Sequence, residues 1–502
     1  MLYISTRDNH PAVQSSEAIT LGMAGDGGLF VPREMPGLAN PLTIDSNYQE
    51  TARRVLAPFL SDFSAAELGS AIDNAYNAET FNAPGIVELV PLDPHRSVLE
   101  LWHGPTAAFK DVALQIMPQF MQIAKDKTNN KTHTVILVAT SGDTGKAALE
   151  GFRDKPGISI VVFYPAGGVS EIQKLQMVTT GGGNTHVVAV EGNFDDCQSG
   201  VKAIFSDPAL ARELGVHNMA LSSANSINWG RLCPQIVYYV RAYGLAVQRN
   251  LVKAGAPVDF CVPTGNFGNI LAGYYARRMG LPIRRLICAS NRNRILADFF
   301  ASGVYDCNRE FYRTSSPSMD ILISSNLERF LFEMSGRDGK RIQGWFSELS
   351  KSGRYAIDPQ TLASMKEFIA AGWAGEERVP GVIRAEFERS GYVFDTHTAV
   401  AAAALDDLGD RKVHTIIDST ASPYKFSGDV LPALTGEHPD NEWLSIERLH
   451  AAGKIPIHRA VLGLRERPVR HTRQCAVANM SGVLMEICAK ISHHPGAKAL
   501  GH

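Results

Sequence analysis

Between about residue 131 and residue 290 the chain alternates short β-branched apolar runs with stretches whose apolar positions recur at helical spacing, the pattern of parallel βαβ units. The strands it predicts are 134–140 (TVILVAT), 158–165 (ISIVVFYP), 185–190 (THVVAV), 217–223 (HNMALSS), 258–264 (VDFCVPT) and 283–290 (IRRLICAS), with another at 413–420 (VHTIIDST). Helices fall between them, for instance over 171–180 and over the long 227–248. From about 291 to 385 the alternation fails in a stretch rich in Arg, Ser and Phe, read as an insertion into the α/β unit. Helix resumes at 395–405 (DTHTAVAAAAL), with Asp395 or Thr396 placed to cap its first turn. The expected fold class is α/β, with open parallel sheets in two α/β domains plus an N-terminal unit. The expected boundaries are an N-terminal domain over 1–95, a large α/β domain over 96–130 and 226–435, a small α/β domain over 131–225, and a weakly patterned tail over 436–502.

With 502 residues there is chain for two to four packed units and for a cleft between them, at roughly 150 residues per domain. The formal net charge of -2 gives no general attraction to nucleic acid or anionic lipid, so any phosphate must be held locally. The start MLYISTRDNH lacks the basic-then-apolar pattern of a signal peptide, and no apolar run approaches the roughly 18 residues of a membrane span. A cytoplasmic protein with neither nucleic-acid nor membrane partner is expected, as a monomer or homodimer. Cysteines 197, 233, 261, 288, 307, 475 and 488 are scattered without a C-x-x-C pair, and the histidines include no H-E-x-x-H. Buried thiols and no metal site follow.

Three loops lie where parallel sheets bind ligands, at the carboxyl ends of strands. In VILVATSGDTGKAALEGF (135–152) a strand runs through Ser141, Gly142, Asp143 and Thr144 into a helix whose first amides suit an anion, although a plain capped helix reads the same way. It is not a Walker A loop, since Thr140 and Ala147 stand where that motif needs Gly and Ser or Thr. In VDFCVPTGNFGNILAGYYA (258–276), Gly265 and Gly268 allow backbone amides to surround a phosphate, and Asn266 and Asn269 add side-chain donors; a ligand-free turn fits as well. In HTIIDSTASPYKFSG (414–428) a strand delivers Ser419 and Thr420 to the same edge, for a ring nitrogen or merely a cap. A fourth cluster, TTGGGNTH (179–186), follows a helix and precedes a strand, and reads as a stop at the opposite edge.

One lysine, Lys110 in LWHGPTAAFKDVALQ, sits in an apolar and aromatic setting at a strand-to-helix junction. A lysine amine becomes a usable nucleophile near neutrality only if desolvated or held as a Schiff base, whereas most lysines are solvated charges. Two anion-type loops, a strand-end hydroxyl and this lysine suggest a cofactor with a phosphate, a ring nitrogen and an aldehyde: pyridoxal 5'-phosphate.

The local words STRD (5–8), DGGLFVP (26–32), HGPTAAFKD (103–111), TSGDTGKAA (140–148), SINWGRLCPQIVYY (226–239), PTGNFGN (263–269), DTHTAVAAAA (395–404), STASPYKF (419–426) and RPVRHT (467–472) together resemble threonine synthase, a pyridoxal-phosphate enzyme of the tryptophan-synthase-β-like fold type, fold type II. The resemblance implies that Lys110 carries the Schiff base, that Gly265, Asn266, Phe267, Gly268 and Asn269 cradle the cofactor phosphate in the large domain, and that Thr420 meets the pyridine nitrogen. It implies that Ser141, Gly142, Asp143 and Thr144 hold the substrate carboxylate, and that Thr144, Ser226, Asn228 and Arg231 hold the substrate phosphate. The implied reaction converts O-phospho-L-homoserine and water to L-threonine and phosphate by γ-elimination and β-addition of water, in threonine biosynthesis. Rival readings are a threonine-synthase-like phospho-lyase releasing 2-oxobutyrate, a serine or threonine dehydratase, and a non-catalytic binder of pyridoxal phosphate or a phosphometabolite. Asp8 stands where the family commonly has Gly, Gly25 where Pro is frequent, and Asn225 where residues vary; the closing SHHPGAKALGH (492–502) matches nothing.

Overall fold

The computed structural model describes residues 1–140, 142–167 and 169–492, so Ser141 and nearly all of the closing SHHPGAKALGH lie outside the described residues. Two open α/β sheets carry the architecture. The larger has the order Ile369–Trp373, Ile283–Ser290, Val258–Pro263, Thr415–Ser419, Arg96–Glu100, Glu88–Asp93, parallel throughout except for the last pair. The smaller is wholly parallel, in the order Arg473–Ala476, Thr185–Glu191, Ile158–Pro165, His133–Ala139, Met219–Ser222.

The continuous apolar runs of the small sheet have a direct cause. Ile136, Val138, Ile160, Val162 and Val187 point into the core shared with the rest of the molecule, while their neighbours Val135, Leu137, Val161, Phe163, Val188 and Val190 build a second core on the other face. A parallel strand covered on both faces has no solvent side to leave polar. The second core is closed by the helix Met480–Ser492, through Met480, Val483, Leu484, Ile487 and Cys488. The segment expected as a weakly patterned tail therefore supplies an edge strand and a packing helix to the small sheet.

Other expectations also need correcting. The stretch 291–385 is regular, but the regularity is helical: Ile295–Ser302, Leu327–Met334, Gly339–Ser352, Pro359–Phe368 and Val379–Ser390, with Ile369–Trp373 added as an edge strand of the large sheet. The strand Glu88–Asp93, grouped by sequence with the N-terminal unit, pairs antiparallel with Arg96–Glu100 on the other edge. The long helix over 227–248 is divided into Trp229–Leu232 and Pro234–Gln248, because Pro234 has no N–H to continue the first ladder and suits the first turn of the second. At the helix Thr396–Leu408 the cap is Asp395, whose carboxylate accepts from the His397 amide at 2.8 Å. Among the described residues no helix is long and apolar enough to cross a membrane.

The N-terminal unit is a small sheet of Val13–Gln14, Leu2–Ser5 and Phe30–Pro32 with the helices Tyr48–Leu56 and Ala65–Ala75. It holds the insertion in place. Arg7 donates to both oxygens of the buried Glu328, at 3.1 and 3.0 Å, and Thr6 donates to the same carboxylate at 2.6 Å. Asp8 has φ 58°, the left-handed region that glycine adopts without steric cost, and its carboxylate accepts from the Gly339 amide at 2.9 Å. Glu328→Ala is expected to lower stability by about 2–3 kcal/mol, through loss of charge-assisted hydrogen bonds to Arg7 and Thr6. A leftward shift of the denaturant midpoint is the readout.

Candidate active site

Val258–Pro263, Thr415–Ser419 and Arg96–Glu100 run parallel and adjacent, so the loops after them open on one edge of the large sheet. The loop that leads to Lys110 is stitched to the loop after Ser419: the Phe109 amide donates to the Thr420 carbonyl at 2.8 Å, the Ser422 amide to the Ala107 carbonyl at 3.1 Å, and Ala108 bridges Ala421. Asp111 secures the loop from inside, accepting from the Thr106 amide and hydroxyl, each at 2.8 Å. Burial pushes its carboxyl up to about 6 against those hydrogen bonds. Gly104 is obligatory here, since a Cβ would stand 2.3 Å from Cβ of Asp111.

Lys110 opens the helix Lys110–Leu114, with its side chain 11% exposed. Its Nζ donates to Ser318 Oγ at 3.1 Å, stands 3.5 Å from Asp143 Oδ2 and lies 5.0 Å from the centre of the Phe109 ring. Burial lowers its pKa from the ordinary lysine value; Asp143 opposes the shift, and the like charges of Lys425 and Arg231 add to it. Asp143, at the start of the helix Asp143–Phe152, also accepts from Ser318 Oγ at 3.1 Å and from Gln173 Nε2 at 3.2 Å, and pairs with the fully buried Lys425. Burial alone would raise its carboxyl, but Lys425 and then Lys110 outweigh burial and hold it far below the usual carboxylate range. Three cations, Lys110, Lys425 and Arg231, thus gather around Asp143, with the carboxyl of Asp111 acting on Lys425 from the Lys110 loop. That excess suits anionic ligands.

The structure brings most of the expected residues to this edge and gives some a different task. In the glycine loop a Cβ on Gly265 would come within 2.5 Å of the Ser318 carbonyl, so the insertion lies directly on the loop. The Gly265 carbonyl accepts from Ser324 Oγ at 2.8 Å, and the Asn266 carbonyl from the amide and side chain of Asn326 at 3.1 and 3.2 Å. Phe267 takes a left-handed φ of 64° before the helix Gly268–Arg278, and its ring joins Phe300 and Phe330 in the core. Asn269 Oδ1 accepts from the hydroxyls of Tyr238 and Tyr239 at 2.6 and 2.8 Å, so its side chain faces the interior. Backbone amides are what this loop can offer a phosphate, together with the start of its helix.

Gly142 has φ 150°, and its amide and that of Gly145 donate to Thr140 Oγ1 at 3.0 and 3.1 Å; Thr144 follows in the first helical turn. Ser226 Oγ accepts from Asn326 at 3.0 Å. Asn228 does not fit a phosphate-holding role: its oxygen caps the helix Trp229–Leu232 through the Gly230 amide at 2.8 Å, and its nitrogen donates to the Ile19 carbonyl at 3.0 Å. Arg231 is buried, donates to the Ala224 carbonyl, and is brought down to about 10 by burial. Ser419 Oγ accepts from Trp102 Nε1 at 3.1 Å and from Thr398 Oγ1 at 3.0 Å, and Thr420 follows it at the strand end.

Four residues escaped the sequence reading. Ser318 reaches Lys110 and Asp143 from the insertion, and its amide donates to His397 Nε2 at 3.1 Å. His397 Nδ1 lies 3.0 Å from Asp395, which assigns the proton to Nδ1. Lys425 and His397 stand inside words already singled out, STASPYKF and DTHTAVAAAA, whereas Ser318 and Gln173 carried no local signal.

Beneath the site, Asp418 is fully buried, accepts from Tyr239 at 3.2 Å, and is pushed up to about 7 by burial against that bond and Asn269. The unfolded chain loses this proton near pH ~3.9 while the folded chain keeps it to about 7, so Asp418 costs stability increasingly across that window as pH rises. Asp418→Asn is expected to gain stability relative to the parent chain over that window and to level off above it, in denaturation curves taken at successive pH values.

Comparison with known proteins decides the family. Residues 2–76 match the family model described as threonine synthase N terminus, and residues 98–417 match that of pyridoxal-phosphate dependent enzymes. The threonine synthase of Pseudomonas aeruginosa is 38% identical over 502 residues, which is 98% of each chain. The chain belongs to the threonine synthase family. A crystal structure of PLP-bound threonine synthase from Brucella melitensis superimposes with a TM-score of 0.87 at 36% identity, covering 98% of this chain and 100% of that one. Threonine synthase-like 1 of Homo sapiens is 40% identical over 483 residues, 93% of this chain; the chain spans 64% of that relative's length. The fold is α/β with open parallel sheets.

Proposed function

We propose that this chain is a threonine synthase that converts O-phospho-L-homoserine and water to L-threonine and phosphate, with pyridoxal 5'-phosphate as cofactor. The observation that carries the reading is Lys110, a lysine of lowered pKa set among an excess of buried cations where three strand-end loops meet. The residues present fit the cofactor. Lys110 offers the amine for its aldehyde, the amides of Gly265–Asn269 and the helix after them offer a phosphate cradle, and Thr420 offers a neutral partner for the ring nitrogen. When bound, the cofactor supplies an electron sink that acidifies the proton on the substrate α carbon.

The chain's own groups divide the remaining work. The Lys110 amine, once released, is the base within reach of that proton, and returns it as an acid. In this reading the amides of Asp143 and Thr144, at the start of the helix Asp143–Phe152, take the substrate carboxylate. Arg231 and Ser226 hold the substrate phosphate in this reading, with the guanidinium as the donor of fixed geometry. A cavity of about 390 Å³, lined by Gln173, Thr314, Ser315, Lys425 and Phe426 among others, adjoins the site between the small sheet's loops and the insertion, and it is of a size for a small polar substrate.

A second reading of the same site is a phospho-lyase that eliminates phosphate and releases 2-oxobutyrate. Selectivity for the phosphorylated substrate tests the binding half of both readings. O-phospho-L-homoserine is expected to perturb the visible cofactor band at concentrations where L-homoserine and L-threonine leave it unchanged. Equal responses to phosphorylated and unphosphorylated ligands would remove the phosphate site from the account.

A further inference from the structure

Lys425 is the charged group at the site for which the proposed reaction has no use. It lies on the short helical turn Pro423–Phe426 after the strand Thr415–Ser419, and its side chain is fully buried. Its ammonium pairs with Asp143, which comes from the small sheet, and donates to the Thr106 carbonyl at 3.0 Å in the loop that carries Lys110. Asp111 holds the amide and hydroxyl of that same Thr106, each at 2.8 Å. Thr106 is therefore fixed from both sides, and Asp143 is shared between Lys425 and Lys110.

The sharing has a consequence for binding. A helix N-terminus that is to receive a substrate carboxylate begins here with a carboxylate of its own, Asp143, and two such charges repel unless one is neutralised. Lys110 gives up its ammonium when its nitrogen is bound to the cofactor, whereas Lys425 is a second, buried cation paired with Asp143. Resting on the function proposed above, we propose that Lys425 is a positioning residue that holds Asp143 as a neutralised pair against the Lys110 loop, leaving Lys110 to act as an amine and the 142–144 loop open to an anion. Lys110 is faced by Asp143 from the small sheet, by Lys425 from the turn and by Arg231 from its helix; His397, from the helix Thr396–Leu408, acts on Asp143, and Lys425 in turn acts on Asp111 of the Lys110 helix and on His458. Within this set Lys425 lowers the proton affinity of Lys110 and Asp143 raises it. Without the Lys425 charge, Asp143 keeps Lys110 as its ion-pair partner beside the hydrogen bonds from Ser318 and Gln173.

The test uses the full-length chain and the variants Lys425→Met and Lys425→Arg. The rate at which each takes up added pyridoxal 5'-phosphate is followed by the visible band as a function of pH, without substrate, and the attachment site is fixed by borohydride reduction and peptide mapping. In Lys425→Met the midpoint of the pH–rate profile is expected to move to higher pH, with a several-fold slower uptake at neutrality and a raised KM for substrate. Lys425→Arg, which keeps the charge, is expected to restore the midpoint. A folded Lys425→Met with the parental midpoint, or a Lys425→Arg shifted as far as Met, overturns the proposal. Should the Met variant fail to fold, the Arg variant alone decides, since its midpoint must stay in place. A parent chain that forms no band at Lys110 at any pH instead refutes the function on which the inference rests.

Discussion

Lys110→Ala is expected to lose the visible cofactor band and to reduce turnover by at least about 10³-fold, the order of magnitude carried by a single acid–base group. The protein should nevertheless fold. Lys110 is desolvated and repelled by Lys425 and Arg231, so its removal relieves unfavourable terms, and Asp143 keeps Lys425 as its partner. A thermal midpoint at or above that of the parent chain, together with loss of the band, separates a chemical role from a structural one. An intact band would place the cofactor on another amine.

Asp143→Asn is expected to have the largest effect on stability. It leaves the fully buried Lys425 without its ion-pair partner and withdraws the negative charge near Lys110, and breaking a buried pair in this way costs about 3–5 kcal/mol. Because the Asp143 carboxyl is held below its ordinary value, its contribution is complete at neutral pH and is lost as pH falls below the unfolded value near ~3.9. The gap in thermal midpoint between parent and variant should therefore be constant from pH ~7 down to pH ~5 and close at lower pH. Equal midpoints at neutrality would show that Lys425 has another counter-charge.

The parallel strands were legible because both faces of each sheet are covered: Val135 and Ile136 lie on opposite faces and are both buried, so the run is apolar residue by residue. The loops could be located because glycine and hydroxyl residues cluster at strand ends, although each alone reads equally as a turn or cap, and HGPTAAFKD was distinctive because Gly104, Thr106 and Asp111 are fixed by contact with one another. What stayed hidden depends on contacts distant in sequence. Ser318 is an ordinary serine until Gly265 presents its Cβ-less face to the Ser318 carbonyl. The strand Arg473–Ala476 buries only Cys475, too little to produce a pattern. Asn228 shows the opposite failure, since a short amide before a helix suits an anion and a cap equally, and here it is a cap.

The most direct test of the central claim is to incubate the purified chain with O-phospho-L-homoserine and to quantify phosphate, L-threonine and 2-oxobutyrate in the same samples over time. Threonine and phosphate appearing in equal amounts, both abolished by Lys110→Ala, is the predicted result. Phosphate accompanied by 2-oxobutyrate in place of threonine, or no phosphate release from a chain that carries the cofactor, would contradict it.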